Sequence, residues 1–282
     1  MTAQIFVCYH KKGNVIDTAP LVPFFIGLSD VPSSDMLCDS LQDSIAEKNP
    51  YYSELTGLYW IWKNVKADVV GLFHYRRFFN FKNDITKFHT FTKDFARRYG
   101  ITEHNVESIL QTYDIILPQK DYLDPNHSSV YEQYRHFHYV EDLDIVLDII
   151  KCKYPQMFPI ADNFFMHENK MHVCNMMICS KALCDEYAKW LFDILFEAEK
   201  LIQPTLTSRN IMQKRVYGFL AERLLNVFVR YKQETSGLKV KELPILFWEE
   251  DVAVWRKYHR RYLKNRICSF FHLLKRGKSG NV

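Results

Sequence analysis

Short apolar runs alternate with longer amphipathic stretches along the chain. The short runs are bounded by polar residues or proline, which is typical of strands buried in a sheet. The predicted strands are Gln4 to Tyr9, Asp68 to His74, Asp114 to Leu117, Val173 to Cys179 and Leu243 to Trp248. Residues 20–46 contain several prolines and are predicted to be irregular.

The amphipathic stretches have the spacing of helices with one buried face. In Tyr139 to Lys151, for example, Leu143 and Val146 belong to the apolar face, whereas Asp142 and Asp144 belong to the polar one. The predicted helices are Tyr52 to Asn64, Thr102 to Gln111, Tyr139 to Lys151, Ala182 to Ile202 and Ile211 to Arg230. Because strands and helices alternate, the sequence predicts a layered α/β domain.

Charge divides the chain into two parts. No acidic residue follows Asp251, and the segment beyond it carries nine lysines and arginines; subtracting them from the net charge of +4 leaves −5 on the preceding body. We therefore predict a domain over residues 1–250 and a basic tail over 251–282. Apolar residues recur in the tail near helical spacing, which favours an interfacial helix on an anionic membrane. A helix packed on the protein's own body is the alternative, and the acidic body disfavours nucleic-acid binding.

The sequence favours a cytoplasmic location. The apolar run at Ile5 to Tyr9 is too short for a signal peptide, and no run approaches the ~20 apolar residues of a membrane span. The seven cysteines are odd in number and form no CxxC pair, which favours reduced thiols. With the basic tail, this predicts a protein peripheral to the inner face of the plasma membrane.

Several segments resemble a family of domains of unknown function that occurs in capsular polysaccharide and exopolysaccharide gene clusters. These segments include IFVCYHKK, DSIAEKNPYYSELTGLYWIWKN, VGLFHYRRFF, HVCNMMICSKALCDEYAKWLFDILFEAEK and RVYGFLAERLLNVFV, in the family's order. Members are generally regarded as glycosyltransferases. The resemblance implies transfer of a hexose from a nucleotide-diphosphate sugar to a lipid-linked glycan. A non-catalytic scaffold that binds sugar or nucleotide and recruits other transferases is the alternative.

The resemblance also implies a fold. It is a single GT-A-like α/β/α domain that binds a nucleotide sugar, here followed by the basic amphipathic helix. Such folds present a DxD motif to a divalent metal, Mg²⁺ or Mn²⁺, after a middle strand. This chain has His74, Tyr75, Arg76 and Arg77 at that position and no acidic residue. Because guanidinium groups bind phosphate bidentately, we expect Arg76 and Arg77 to take the charge of the leaving diphosphate; a structural ion pair is the competing interpretation.

Further donor contacts follow from the same analogy. Tyr9, His10 and Lys11 follow the first strand and are expected near the base and phosphate. Asn175 lies alone in an apolar run and resembles the asparagine that many such transferases place near the donor sugar; a satisfied core amide is the alternative.

Lys48 and Asn49 precede a predicted helix. They are either donor contacts or part of a well-capped helix start.

Glu222 is the predicted catalytic base. An inverting transfer needs a carboxylate to accept the proton of the attacking hydroxyl. The GFLAE segment that ends at Glu222 resembles the place where inverting members of the fold hold this acid. A surface ion pair between Glu222 and Arg223 or Arg215 is the competing interpretation.

No metal site is assigned. Asp142 and Asp144 formally make a DxD, but residues two apart on a helix diverge by about 200°. The pairs His136 with His138 and His167 with His172 do not share a helical face either.

Overall fold

A computed structural model describes residues 2–11, 15–27, 36–82, 94–123, 129–249, 251–254, 256 and 260. The strands are β1 (Ala3–Tyr9), β2 (Leu21–Phe25), β3 (Val69–His74), β4 (Arg77–Phe79), β5 (Ile115–Pro118), β6 (Asp121–Tyr122), β7 (Lys170–Met171), β8 (Met177–Ser180), β9 (Val240–Leu243) and β10 (Ile245–Phe247). The helices are α1 (Asn49–Tyr52), α2 (Leu55–Asn64), α3 (Phe95–Arg98), α4 (Glu103–Leu110), α5 (Val130–Phe137), α6 (Val140–Lys153), α7 (Phe158–His167), α8 (Lys181–Ile202), α9 (Ile211–Lys214) and α10 (Val216–Ser236). Short 3-10 helices cover Ala46–Lys48 and Gln203–Ser208.

The main sheet has the strand order β2-β1-β3-β8-β5-β9. All of these strands run in one direction except β8, which is antiparallel to β3 and β5. β4 turns back from the end of β3 and pairs with β10. β1 and β3 lie side by side with Cys8 opposite His74, so the loops that follow the two strands leave the sheet at the same edge.

Helices cover both faces of the sheet. Phe6 and Cys8 of β1 enter the larger core, with α2, α6, α8 and α10. Ile5 and Val7, one residue out of phase, enter the second core, with α3 and α4. Side chains alternate across a strand, so a continuous apolar run such as β1 fills two cores. This arrangement confirms the predicted α/β class.

Several predicted elements differ from the observed ones. Residues 21–25 form β2, because the run LVPFF is apolar enough to be buried at the sheet edge despite its proline. The predicted helix over 52–64 is broken at Ser53, whose φ is +53°, and the predicted helix over 211–230 is broken at Arg215. The predicted strand over 173–179 starts only at Met177, because the turn before it has positive φ.

Asp142 corrects a prediction made from helix periodicity. It is buried and does not lie on the solvent-exposed face of α6. It accepts hydrogen bonds from both terminal nitrogens of Arg209, at 2.5 and 2.8 Å. Asp144 is exposed and accepts a hydrogen bond from Tyr131, 2.9 Å away. The two carboxylates have separate partners, as their predicted divergence on the helix requires.

No helix among the described residues is long and apolar enough to cross a membrane. The predicted tail over 251–282 lies, apart from residues 251–254, 256 and 260, outside the described residues.

Candidate functional site

Two histidines meet where β1 and β3 end. His10 follows β1 and His74 ends β3, and their ring centroids are 6.4 Å apart. Tyr75 lies against both, with its ring 4.7 Å from that of His10 and 4.6 Å from that of His74. Lys11 places its Nζ 5.6 Å from the centroid of the same tyrosine. Ligands of open α/β sheets bind at this edge, beyond the carboxyl ends of the strands.

Arg76, just before β4, and Arg77, the first residue of β4, have different partners. Arg76 forms an ion pair with the buried Glu249 at 2.6 Å, and its guanidinium lies 4.9 Å from the ring centroid of Tyr75. Arg77 pairs in the ladder with Phe247 and has its guanidinium 5.6 Å from that ring. The Arg76 charge is therefore balanced by a carboxylate of its own, as the competing interpretation of a structural ion pair requires.

Arg215 brings a third guanidinium to the site from the junction of α9 and α10. Its Nε donates a hydrogen bond to the Ser53 hydroxyl, 2.9 Å away. The sequence predicts Arg215 only as an ion-pair partner for Glu222, because nothing in it indicates that the helix breaks there. From this break, the charge of Arg215 acts on His10 and His74 at the end of the sheet.

Burial and neighbouring cations lower the pKa of both histidines. Burial is the largest cause for each. For His74 the charge of Arg77 follows, and Arg215 contributes to the shift of both rings. The pKa of His74 lies well below its ordinary value, and that of His10 lies below it too. Both rings are therefore neutral near pH 7 and can donate one hydrogen bond each without adding charge.

A strained turn before β8 faces the cations. Cys174 and Asn175 have φ of +76° and +47°, a region that non-glycine residues rarely adopt and that asparagine tolerates best. The Asn175 Nδ2 donates to Glu54 Oε1 at 2.8 Å and to the Gly218 carbonyl at 3.1 Å. Its Oδ1 is buried and has no hydrogen-bond partner among the residues that the structure describes. A buried acceptor without a partner is costly, and a hydroxyl or a water that reached it would satisfy it.

Glu222 lies on the other side of the same turn. Its Oε1 accepts the Cys174 backbone N–H at 3.2 Å, and its Oε2 is 3.6 Å from Arg223. Burial raises the pKa of Glu222; Arg223 opposes the shift and Glu54 adds to it. The side chain is 27% exposed, so a substrate can approach it, and its pKa is shifted in the direction that suits a general base.

Glu54 also belongs to this site, because its Oε1 accepts a hydrogen bond from Asn175, although it was not among the site residues predicted from the sequence. The contact with Asn175 depends on long-range packing and has no sequence signal.

Three residues that were predicted to contact the donor make their polar contacts within the protein. Tyr9 is 1% exposed, stacks on Phe25 and accepts the Ile16 N–H with its hydroxyl, so its ring packs within the protein. A contact of Tyr9 with the donor stays a prediction. Lys48 forms an ion pair with Glu199 of α8 at 2.6 Å.

Asn49 donates from Nδ2 to the Ser53 carbonyl at 2.9 Å and to Thr56 Oγ1 at 3.1 Å, which fixes the turn between α1 and α2. A contact of Lys48 or Asn49 with the donor stays a prediction.

The end of β3 does not suit a divalent cation. A metal that bridges diphosphate oxygens needs carboxylate ligands, whereas the residues there are His74, Tyr75, Arg76 and Arg77. Within the described ranges, no three histidine, cysteine or acidic side chains are grouped as a metal site. We therefore assign no step at this position to a metal.

Comparison with known proteins agrees with the fold. A solved ligand-free structure of WbbM, a bifunctional glycosyltransferase, superposes with a TM-score of 0.81 at 29% identity. The match covers 89% of this chain and 46% of that one, so this chain spans about half the length of its neighbour. The main sheet, with β8 as its antiparallel strand, is that of a GT-A-like fold.

No curated protein matches the sequence. Residues 4–234 match the family described as a domain of unknown function, DUF4422. This match spans most of the chain, and the protein therefore belongs to the DUF4422 family.

Proposed function

We propose that this protein is a glycosyltransferase that moves a hexose from a nucleotide-diphosphate sugar to a lipid-linked glycan in capsule, exopolysaccharide or O-antigen synthesis. One observation carries the proposal. A cluster of guanidinium and imidazole groups at the ends of β1 and β3 faces a carboxylate of raised pKa across the Cys174–Asn175 turn. The likeness to a bifunctional glycosyltransferase supports the same reaction class.

The cationic side of the site is assigned to the donor diphosphate. Arg77 and Arg215 supply positive charge, and the neutral His10 and His74 supply hydrogen bonds to phosphate oxygens. Lys11 extends this surface from the loop after β1. Arg76 acts through Tyr75 and Glu249 and is assigned to positioning.

The acidic side is assigned to the acceptor. An acceptor hydroxyl attacks C1 of the hexose and gives its proton to Glu222, while the bond between C1 and the diphosphate oxygen breaks. The electron pair of that bond leaves with the diphosphate, whose added charge is stabilised by Arg77 and Arg215. The unpaired Oδ1 of Asn175 is assigned to accept a hydrogen bond from a sugar hydroxyl of the donor. This course inverts the configuration at C1.

The decisive experiment incubates the protein with a panel of nucleotide sugars and a membrane lipid extract, and measures released nucleoside diphosphate with and without EDTA. We expect release from one donor, unaffected by EDTA and lost in Glu222→Gln. Release that requires a divalent metal would contradict the role given to the arginines. Tight binding of a nucleotide sugar without release would instead support the scaffold function, in which the protein recruits other transferases to the membrane.

The same proposal places the protein in the cytoplasm, peripheral to the inner face of the membrane where a lipid-linked acceptor is exposed. The basic segment 251–282 supports this location through its charge.

A further inference from the structure

A half-buried histidine lies beside the helix that carries the candidate base. His138 follows α5, and its ring stacks on that of Phe219, with centroids 4.3 Å apart and an angle of 30° between the planes. Phe219 precedes Glu222 by three residues on α10, so the two side chains lie on the same side of the helix. Both stacked rings are half-buried. The stack therefore borders the acidic side of the candidate site.

The hydrogen bonds of Gln213 fix which nitrogen of His138 carries the proton. Gln213 Nε2 donates to the Phe137 carbonyl at 2.8 Å, and a carbonyl can only accept. The amide oxygen of Gln213 therefore faces His138, where it lies 3.2 Å from Nδ1. Because this oxygen cannot donate, the proton is assigned to Nδ1. This tautomer leaves Nε2 of His138 as a hydrogen-bond acceptor.

The ring of His138 is neutral near pH 7. Burial lowers the pKa of His138 to about 4; the charge of Arg223 adds to the shift, and the hydrogen bond to Gln213 opposes it. Among the residues that the structure describes, the ring makes its hydrogen bond through Nδ1 and none through Nε2. A neutral ring with an unpaired Nε2 suits a ligand that donates a hydrogen bond, such as a hydroxyl, and does not suit a phosphate oxygen.

Arg223 connects the surroundings of His138 to the candidate base. Its Nη1 donates to the Phe219 carbonyl at 2.7 Å and lies 3.6 Å from Glu222 Oε2. Its Nη2 donates to Gln133 Oε1 of α5 at 2.9 Å. One buried guanidinium thus fixes α5, with the histidine at its end, against the part of α10 that holds Phe219 and Glu222. A saccharide whose hydroxyl reaches Glu222 has its neighbouring sugar units close to this stack.

We propose that His138 and Phe219 form a subsite for the acceptor saccharide, in which Nε2 of His138 accepts a hydrogen bond from a sugar hydroxyl. The exposed part of the aromatic stack packs against the apolar face of a sugar ring. The subsite rests on the proposed function, since it takes Glu222 as the base that activates the acceptor. It is assigned to the acceptor and not to the donor, because the cations for the donor diphosphate lie at the ends of β1 and β3.

The test uses His138→Phe, which keeps an aromatic ring against Phe219 and removes the acceptor nitrogen. Transfer is measured at saturating nucleotide sugar while the amount of membrane lipid extract is varied. We expect the amount of extract that gives half-maximal transfer to rise about three- to tenfold, because one hydrogen bond to the acceptor is lost. The KM of the nucleotide sugar is expected to stay unchanged. His104→Phe is the matched control, since His104 is exposed on α4, and it is expected to change neither value.

Nitrogen NMR of the wild-type imidazole tests the subsite without a substitution. At pH 7 we expect the proton of His138 on Nδ1, and we expect the Nε2 signal to move when saccharides released from the lipid extract by mild acid are added. A proton on Nε2, or an Nε2 signal that these saccharides do not move, would overturn the subsite. So would an unchanged half-maximal amount of extract in His138→Phe, or an equal rise in the KM of the nucleotide sugar. A signal that moves in a wild-type protein without transfer would support the subsite and contradict the proposed transferase.

Discussion

The Asn175 amide donates a hydrogen bond to the Glu54 carboxylate at 2.8 Å and so joins the turn before β8 to the start of α2. The same nitrogen donates to the Gly218 carbonyl of α10 at 3.1 Å. One side chain thus ties together three segments that are far apart in sequence. Both of its hydrogen bonds are made from a backbone in the left-handed region, which asparagine tolerates better than other side-chain-bearing residues.

Replacing Asn175 is expected to disturb both structure and turnover. Asn175→Ala removes the partner of Glu54 and keeps the unfavourable φ, so we expect a loss of about 1–3 kcal/mol in the free energy of unfolding. Misplacement of the turn by a fraction of an ångström is expected to lower kcat by about tenfold to a hundredfold. Urea unfolding and steady-state kinetics measure the two effects.

Asn175→Gly is the matched control, because glycine accepts the positive φ and also lacks the amide. We expect it to recover part of the lost stability but none of the lost turnover. Wild-type kcat in the glycine variant would show that the amide has no role in catalysis.

Glu222→Gln is expected to reduce transfer by about a thousandfold or more while donor binding persists, since the amide cannot accept the acceptor's proton. In the wild type, the pH dependence of kcat/KM reports the same group. Burial raises the pKa of Glu222, so kcat/KM is expected to fall tenfold per pH unit below a midpoint above the usual glutamate value. A pH-independent rate across that range, or activity retained in Glu222→Gln, would assign the base to another residue.

The two adjacent arginines are expected to have different roles, Arg76 in stability and Arg77 in nucleotide binding. Arg76→Gln leaves Glu249 without its cation; because Arg76 is partly exposed, we expect a loss of about 1–3 kcal/mol in the free energy of unfolding. Arg77→Gln is expected to weaken binding of nucleoside diphosphate by about tenfold. Urea unfolding and calorimetric titration with a nucleoside diphosphate distinguish the two variants.

The double variant Arg76→Gln/Glu249→Gln supplies the control for the ion pair. It is expected to recover most of the stability lost in Arg76→Gln, because no charge remains buried and unpaired. If Arg76→Gln weakens nucleotide binding as strongly as Arg77→Gln does, the assignment of Arg76 to positioning is wrong.

The alternation of short apolar runs and amphipathic stretches was enough to predict the α/β class, because burial imposes those periods on the chain. It also located the central strands β1, β3 and β5 and the long helix α8. It did not locate the break at Ser53 or the turn at Cys174 and Asn175. These irregularities are stabilised by contacts made across the fold, and local preference opposes them.

Part of the candidate site could be predicted from the local pattern. His74 ends β3 and Arg77 begins β4 shortly after it, and the ends of parallel strands are a general place for ligands. Arg215 and Glu54 reach the site through a helix break and a contact over 121 residues, neither of which has a local pattern. Asp142 was predicted on the solvent-exposed face because helix periodicity assigns carboxylates to that face. Its burial is explained by its ion pair with Arg209, which the sequence does not reveal.

His172 is expected to make the protein acid-sensitive. Its ring is buried, and its Nδ1 donates to the Pro118 carbonyl at 2.6 Å. Burial lowers the pKa of His172 to about 4, and the hydrogen bond to Pro118 opposes the shift. As pH falls below the ordinary histidine pKa of about 6.5, the unfolded chain takes up a proton that the folded protein does not, so stability is lost.

Between pH 7 and pH 5 this group is expected to lower the free energy of unfolding by about 2 kcal/mol. The measurement is urea unfolding of the wild type and of His172→Gln at both pH values. The glutamine variant is expected to be less stable at pH 7, because its side chain does not reproduce the ring's packing, but to lose less stability on acidification. Since His10, His74 and His138 are present in both proteins, the difference between the two pH dependences isolates His172. Parallel losses in the two proteins would mean that the folded protein protonates His172 as readily as the unfolded chain does.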